Sequence, residues 1–425
     1  MSFKEKLLTV IQELETKLIE REELIRLTLL CIFAKHHMFL IGKPGVGKTY
    51  AIQTISKIIN DGSYWEILMT KETEERQLVG TENTPKEQTL LVHPFIFFDE
   101  MFKATDELLV ALLALLNERR WTIGGKGIPV PLNSLFSASN ELPFGEKIEP
   151  FSDRILIWYE VQRIQKRENK ENYIRAKFNR SKENSVSFSM KEIAEVQELC
   201  DTVEIGDEVL DSYLRIQSEM LNYNIKASDR KFGPDFIVRA LKVCAILNDR
   251  KELNFSDLLL LKHMSWTTYD ERTKSIEVVN NVIFGNEELI ERQLFDINVF
   301  FAEAFAYYDS KCFNFINFQV EYSLALYKSC YGYCKDFYKK AQIAYDSLNN
   351  VFAHYNHAMM ILKQAEENIF IIKIKNFPFT QNILEKMQKL LLDIEFQLKK
   401  TKSFLEAYDD DYKYQEELFK KNYKS

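Results

Sequence analysis

Gly42-Lys43-Pro44-Gly45-Val46-Gly47-Lys48-Thr49 carries the spacing G-x-x-x-x-G-K-[ST] in full. That spacing suits phosphate. Glycines let the backbone wrap closely around phosphate oxygens in conformations closed to other residues. A helix starting at this point aims its free N–H groups and the positive end of its dipole at the anion. Lys48 would then place a charge on the β- and γ-phosphates, and the Thr49 hydroxyl would ligate magnesium. The expected nucleotide contacts are Gly42, Pro44, Gly45, Val46, Gly47, Lys48, Thr49 and Tyr50, and the implied ligands are ATP and Mg2+.

A second set of residues complements the first. Phe95-Ile96-Phe97-Phe98-Asp99-Glu100 is an apolar run ending in two acids. Such a strand sits inside a sheet, and its C-terminal end faces the nucleotide crevice. Asp99 is expected to hold magnesium through its water shell, so that Thr49 and Asp99 form the metal side. Glu100 is expected to orient and polarise the attacking water. Leu135-Phe136-Ser137-Ala138-Ser139-Asn140 is another apolar run with a polar end. Asn140 either hydrogen-bonds the γ-phosphate or the water, or is a turn asparagine before Glu141-Leu142-Pro143; spacing leaves both open.

Positioning these groups requires strands alternating with helices. Two amphipathic helices are predicted in residues 1–35, then a buried strand at Met38–Ile41 and a helix over Thr49–Ile59. Further strands are predicted at Tyr64–Met69, Phe95–Phe98, Leu132–Ala138 and Ile155–Tyr159. A helix at Asp106–Leu116 and a Gly-rich hairpin at Trp121–Pro131 lie between the second and third. This alternation implies a parallel sheet covered on both faces. Of thirteen glycines and nine prolines, all but Gly285, Gly332 and Pro378 lie at or before Pro234, so the later chain lacks turns. Helices are expected at Pro234–Leu247 and Phe255–Met264. Two seven-residue apolar repeats follow: Ala341, Tyr345, Leu348, Phe352, Tyr355, Met359, Leu362, and Leu384, Met387, Leu391, Ile394, Leu398, Leu405. Thr401 interrupts the second, and Asn376-Phe377-Pro378 separates them, which predicts an antiparallel hairpin with coiled-coil packing. The expected organisation is an α/β nucleotide-binding core over 1–165, a helical lid over 166–270 and a helical C-terminal region over 271–425.

Composition bounds the function. With 425 residues, 46% hydrophobic and 28% charged, the chain belongs with globular proteins. A net charge of −7 weighs against nucleic acid as the main partner, because phosphate-backbone binders carry a basic surplus. Cys330 and Cys334 lie four apart with no second pair and no histidine at metal spacing, so zinc is not expected. No apolar run approaches the ~18 residues of a membrane span and no targeting segment is visible; six cysteines read as reduced thiols in a chain this large fit a cytoplasmic location.

The stretch from Asp99 to Pro143, including FFDEMFKATDELLVALLALLNERRWTIGGKGIPVP and SASNELP, resembles the MoxR group of AAA+ ATPases, in particular the RavA-type branch. The phosphate loop and Ser228-Asp229-Arg230 add to the resemblance, which covers roughly the first 270 residues. It implies that Asn140 is the sensor-1 residue and that Arg154 is the arginine finger reaching a neighbouring subunit's γ-phosphate. It also implies that Arg230 is the lid arginine called sensor 2. A salt bridge is the plainer role for Arg154, and a solvated helix start for Arg230; Arg119 is a rival for the trans contact. The segment Thr81–His93 is shorter than the link that such proteins carry, and the C-terminal third matches nothing nameable.

The resulting expectation is an ATP-hydrolysing remodelling or chaperone-type protein. It would form a ring, a hexamer by resemblance, and act on protein partners, including one with a von Willebrand factor A domain. The alternatives are a slow nucleotide-dependent switch and a DNA-acting AAA+ protein, which the acidic balance disfavours.

Overall fold

The computed structural model describes residues 2–142, 148–175, 185–225, 228–317, 324–372, 374 and 377–422. Pro143 and Asn376, both used above, lie outside the described residues.

The chain opens with α1 (Phe3–Lys17) and α2 (Glu22–Ala34). Ser2 and Glu5 close a capping box on α1, each satisfying a backbone N–H that the helix leaves free. There follow β1 (Met38–Ile41), α3 (Lys48–Ser56), β2 (Tyr64–Leu68), α4 (Glu75–Val79), β3 (Phe95–Asp99) and α5 (Asp106–Glu118). Then come β4 (Arg120–Ile123), β5 (Lys126–Pro129), β6 (Ser134–Ser139), α6 (Glu149–Ser152), β7 (Ile157–Glu160) and α7 (Arg167–Arg175). Strands β4 and β5 form the predicted hairpin. Gly124 and Gly125 turn it with φ of 53° and 77°, the paired left-handed conformation that two-residue hairpin turns need.

The other five strands form one parallel sheet in the order β2-β3-β6-β1-β7. Every residue of β1 and β6 is buried, as are Phe95–Phe98 of β3, which fits the unbroken apolar runs of β1 and β3; β6 buries three serines among its apolar residues. Register pairs Asp99 with Ala138 and Ile41 with Ser139. The C-terminal ends of β1, β3 and β6 therefore meet at one edge, where the strand order changes direction around β1. Ligands bind at such edges in open α/β sheets.

There follow α8 (Met190–Leu199), α9 (Asp207–Asn222), α10 (Ile237–Leu247) and α11 (Phe255–Leu258). The helix expected at Phe255–Met264 is α-helical for only its first turn and tightens to a 3-10 helix over Leu259–His263. The chain continues through α12 (Tyr269–Phe284), α13 (Glu287–Asn317), α14 (Leu324–Glu367) and α15 (Gln381–Asn422). Two compact units result: Met1–Ile283 with Ile361–Lys375, and Phe284–Met360 with Asn376–Ser425.

Within the first unit, the segment 361–375 is held by a buried polar cluster. Asp257 is fully buried and takes two hydrogen bonds from Arg250, at 2.8 and 2.6 Å. Asn368 Nδ2 donates to Asp257 Oδ1 and to Ser256 Oγ, each at 2.9 Å. Asn248 Nδ2 donates to Asn368 Oδ1 at 3.1 Å, and Arg26 Nε donates to the Ile369 carbonyl at 2.8 Å.

In the second unit, three long helices pack, because α13 joins the two that the repeats predicted. Tyr308 of α13 stacks on Phe337 of α14 with ring centroids 4.8 Å apart, and α13 contacts α15. The buried seam of α14 is shifted from the expected one. Ala341, Ala344, Leu348, Val351, Ala358, Ile361 and Ala365 are buried, whereas Met359 is exposed and Tyr345, Phe352 and Leu362 are only half-buried. Small residues permit close helix approach, and the larger rings then cover the flanks. Thr401, expected to interrupt the repeat, is itself fully buried, with its hydroxyl donated to the Gln397 carbonyl at 2.7 Å. No helix among the described residues is long and apolar enough to cross a membrane.

Candidate active site

The phosphate loop spans the turn between β1 and α3. Gly45 and Gly47 have φ of 79° and 83°, left-handed values that a side chain resists. Gly42 is needed for a different reason: a Cβ there would lie 2.4 Å from the Val161 carbonyl. Arg21 pins the loop from outside, with Nη2 donating to the Val46 carbonyl at 2.9 Å. Thr49 is half-buried on the first turn of α3, and Tyr50 is exposed beside it. Pro44 is also exposed.

Lys48 is 7% exposed, and its amino group points back into the loop. It donates to the Gly42 carbonyl at 2.5 Å and to Asn140 Oδ1 at 3.0 Å. Burial lowers the Lys48 pKa, and the Asp99 and Glu100 charges partly oppose that shift. Burial raises the Asp99 pKa, and the neighbouring Glu100 raises it further, against Lys48. Glu100 is buried, with φ of 56°. Its Oε2 accepts from Ser139 Oγ at 3.1 Å and lies 3.4 Å from Lys103 Nζ. Its Oε1 accepts from the Asn140 N–H at 3.2 Å. Two adjacent carboxylates thus face the buried Lys48, with Lys103 reaching Glu100 from the surface, and Asp99 keeps a raised pKa that a cation would relieve.

The donor set fits magnesium of the nucleotide-borne kind. Among the described residues no group of three or more His, Cys, Asp and Glu side chains could hold a metal alone. Magnesium bound with ATP needs only one or two protein oxygens, since phosphates and water supply the rest. Thr49 and Asp99 offer those oxygens from the loop and the end of β3.

The two arginines occupy a separate place. A cavity of about 390 Å³ is lined by Arg119, Arg154 and Arg230 with His36, His37 and Asn117, among others. Arg154 donates Nη1 to the Pro150 carbonyl at 2.5 Å, and its buried Nε has no hydrogen-bond partner. Burial lowers its pKa, and Arg230 lowers it further. Arg230 bonds Asn117 Oδ1. Arg119 lines the same cavity, but its Nη2 is engaged by the Lys35 carbonyl at 2.7 Å. The structure therefore groups Lys48, Asp99, Glu100 and Asn140 at one place, and Arg154, Arg230 and Arg119 at another.

Sequence reasoning missed Ser139, Lys103 and Arg21, because nothing in their spacing reveals strand register or loop contacts. It also missed the docking of two identical tripeptides, Ser152-Asp153-Arg154 and Ser228-Asp229-Arg230, whose repetition was visible. Ser228 Oγ donates to Asp153 Oδ1 at 3.0 Å, and the next residue, Lys231, donates Nζ to the Ser152 carbonyl at 2.6 Å.

Comparison with known proteins agrees with this arrangement. Residues 5–201 match the family described as the MoxR domain in the MoxR-vWA-beta-propeller ternary systems, and residues 208–279 match an AAA lid domain. An uncharacterized protein of Methanocaldococcus jannaschii is 34% identical over 302 residues, 68% of this chain and 77% of that protein. The chaperone MoxR1 of Mycobacterium tuberculosis is 24% identical over 300 residues, covering 64% of this chain and 79% of its own. A crystal structure from Cytophaga hutchinsonii, assigned as a candidate ATPase, shares the fold with a TM-score of 0.54 at 18% identity, over 66% of this chain and 94% of its own. The five-stranded parallel sheet, the phosphate loop and these matches together show that the chain belongs to the MoxR-type AAA+ ATPase family.

Proposed function

We propose that this protein hydrolyses ATP and converts the energy into remodelling of protein partners. The observation that carries the reading is the convergence of Lys48, Asp99, Glu100 and Asn140 on the sheet edge beside a complete phosphate loop. The loop N–H groups and Lys48 bind the phosphates. Thr49 and Asp99 would hold magnesium, which would supply neutralisation of developing phosphate charge. Glu100 orients the attacking water and draws its proton, with Ser139 and the Asn140 N–H fixing the carboxylate. Asn140 gives up its bond to Lys48 when phosphate arrives, leaving its amide to meet the γ-phosphate or the water.

The arginine cavity supports the ring reading. Arg154, with an unpartnered Nε and a second arginine beside it, suits an anion brought by another subunit. We assign Arg154 as the trans finger and Arg230 as its lid companion in the same cavity. A homo-oligomeric ring, a hexamer by resemblance, supplies that neighbour. Arg119 is the weaker candidate because it closes the end of α2. The RavA-type placement rests on the Asp99–Pro143 run, with the phosphate loop and Ser228-Asp229-Arg230 adding to it, whereas the matched family is named for β-propeller systems. That family name favours a partner with a von Willebrand factor A domain. Six free, buried cysteines fit a reducing, cytoplasmic setting. A slow switch without remodelling remains the second reading, favoured by the hydrogen bonds that occupy Glu100.

The test compares ATP binding and turnover for wild type, Lys48→Ala and Glu100→Gln. Lys48→Ala should lose nucleotide binding. Glu100→Gln should bind ATP normally and lose turnover by about 10²–10⁴-fold. Equal turnover in wild type and Glu100→Gln would refute the assignment.

A further inference from the structure

Lys231 is a charged side chain placed where charge is costly. It is 2% exposed, and burial pushes its pKa down to about 8, opposed by Asp153 and Glu271. Its amino group donates to the Ser152 carbonyl, the last residue of α6, at 2.6 Å. Its own N–H donates to Ser228 Oγ at 3.1 Å, and that hydroxyl continues to Asp153. A buried ammonium costs desolvation, which the hydrogen bond to the Ser152 carbonyl and the nearby Asp153 and Glu271 charges offset. The contact joins two segments: the lid turn carrying Arg230 and the core turn carrying Arg154. Arg154 follows the clasped residues directly, and its guanidinium folds back on Pro150 in the same short helix.

We propose that Lys231, assisted by Ser228, is a positioning residue that docks the lid turn on the core so that Arg154 and Arg230 present as one pair to the neighbouring subunit's phosphate. This rests on the trans-finger reading of Arg154. The lysine touches no nucleotide; it acts through the Ser152 carbonyl. Lid movement then changes both arginines together, and the site donated to the neighbour depends on the donor's lid.

Subunit mixing tests this. Wild-type protein is mixed with excess Glu100→Gln protein, which does not hydrolyse but donates arginines, and turnover is measured per wild-type subunit. The donors compared are Glu100→Gln alone, with Arg154→Ala, and with Lys231→Met, which keeps the apolar stem. A Glu100→Gln/Ser228→Ala donor is included, and all donors are checked by thermal melting. With the Lys231→Met donor, neighbour kcat should fall about tenfold relative to Glu100→Gln alone, with KM for ATP unchanged, as expected for a displaced arginine. The Ser228→Ala donor should give a smaller fall of the same kind, and it decides the matter if the Lys231→Met donor does not fold. If the Arg154→Ala donor lowers kcat while the folded Lys231 and Ser228 donors do not, the positioning role is wrong and the finger stands. If no donor lowers it, the trans reading itself fails.

Discussion

Two clusters in the first unit hold acidic side chains that are partly or fully buried, and treat them differently. At Asp257 the charge is answered in full: a bidentate arginine, one side-chain amide, the Cys244 thiol and a backbone N–H surround it. At Asp99 and Glu100 two carboxylates stand side by side, and the nearest buried cation, Lys48, donates its hydrogen bonds elsewhere. Asp99 responds with a raised pKa, driven first by burial and then by Glu100. A satisfied cluster holds the fold together. At the sheet edge Glu100 is hydrogen-bonded but leaves the half-buried Asp99 with a raised pKa, a charge that a bound cation would relieve.

The sharpest way to break this contrast is to neutralise an acid in each cluster. Asp257→Asn should lower unfolding free energy by about 2–4 kcal/mol, because the half-buried Arg250 loses its counter-charge and the donors packed around Asp257 lose a charged acceptor. Chemical denaturation measures it, and a change below about 1 kcal/mol would remove Asp257 from the stabilising role. Asn368→Ala should cost about 1–3 kcal/mol by orphaning Asn248 and Asp257 contacts. Hydrogen exchange should then show faster opening of 361–375, and unchanged exchange there would contradict the anchoring.

Acid supplies a third comparison. His36 is buried, and burial first, then Arg119 and Arg239, lower its pKa from 6.5 to about 3. The unfolded chain therefore takes up the proton first as pH falls. The contribution of neutral His36 is present above pH 6.5 and is lost between 6.5 and about 3, on the order of 1 kcal/mol per pH unit. His36→Gln should flatten stability against pH in that window, and an unchanged slope would contradict it. The smallest effect has the opposite sign. Asp99 has a raised folded pKa, so its ionised form weakens the nucleotide-free fold at neutral pH. Asp99→Asn should raise the melting temperature slightly without ligand while weakening the gain from magnesium and ATP. A lower melting temperature without ligand would contradict it.

Much of this was legible before any coordinates. The strand cores are continuous apolar runs, so Met38–Ile41 and Phe95–Phe98 stand out by composition alone. The phosphate loop is legible because its glycines are required by backbone conformation and close approach rather than by packing. Less local features were hidden. The register that puts Ser139 against Glu100 depends on two strands far apart in sequence. The α14 seam is only partly legible: Ala341 and Leu348 of the repeat are buried, but the other buried positions include Ala344, Ala358 and Ala365, whose small side chains carry little hydropathy signal. Nothing in Asn368's neighbours in sequence announces a bond to Asp257, 111 residues away.

The central claim is that hydrolysis is completed between subunits by Arg154. The direct measurement is ATPase rate per subunit against protein concentration, for wild type beside Arg154→Ala. The account predicts a rate that climbs with concentration in wild type, and a low, flat rate in Arg154→Ala despite normal ATP binding. A wild-type rate independent of concentration, matched by Arg154→Ala, would contradict it and leave the slow switch as the better description.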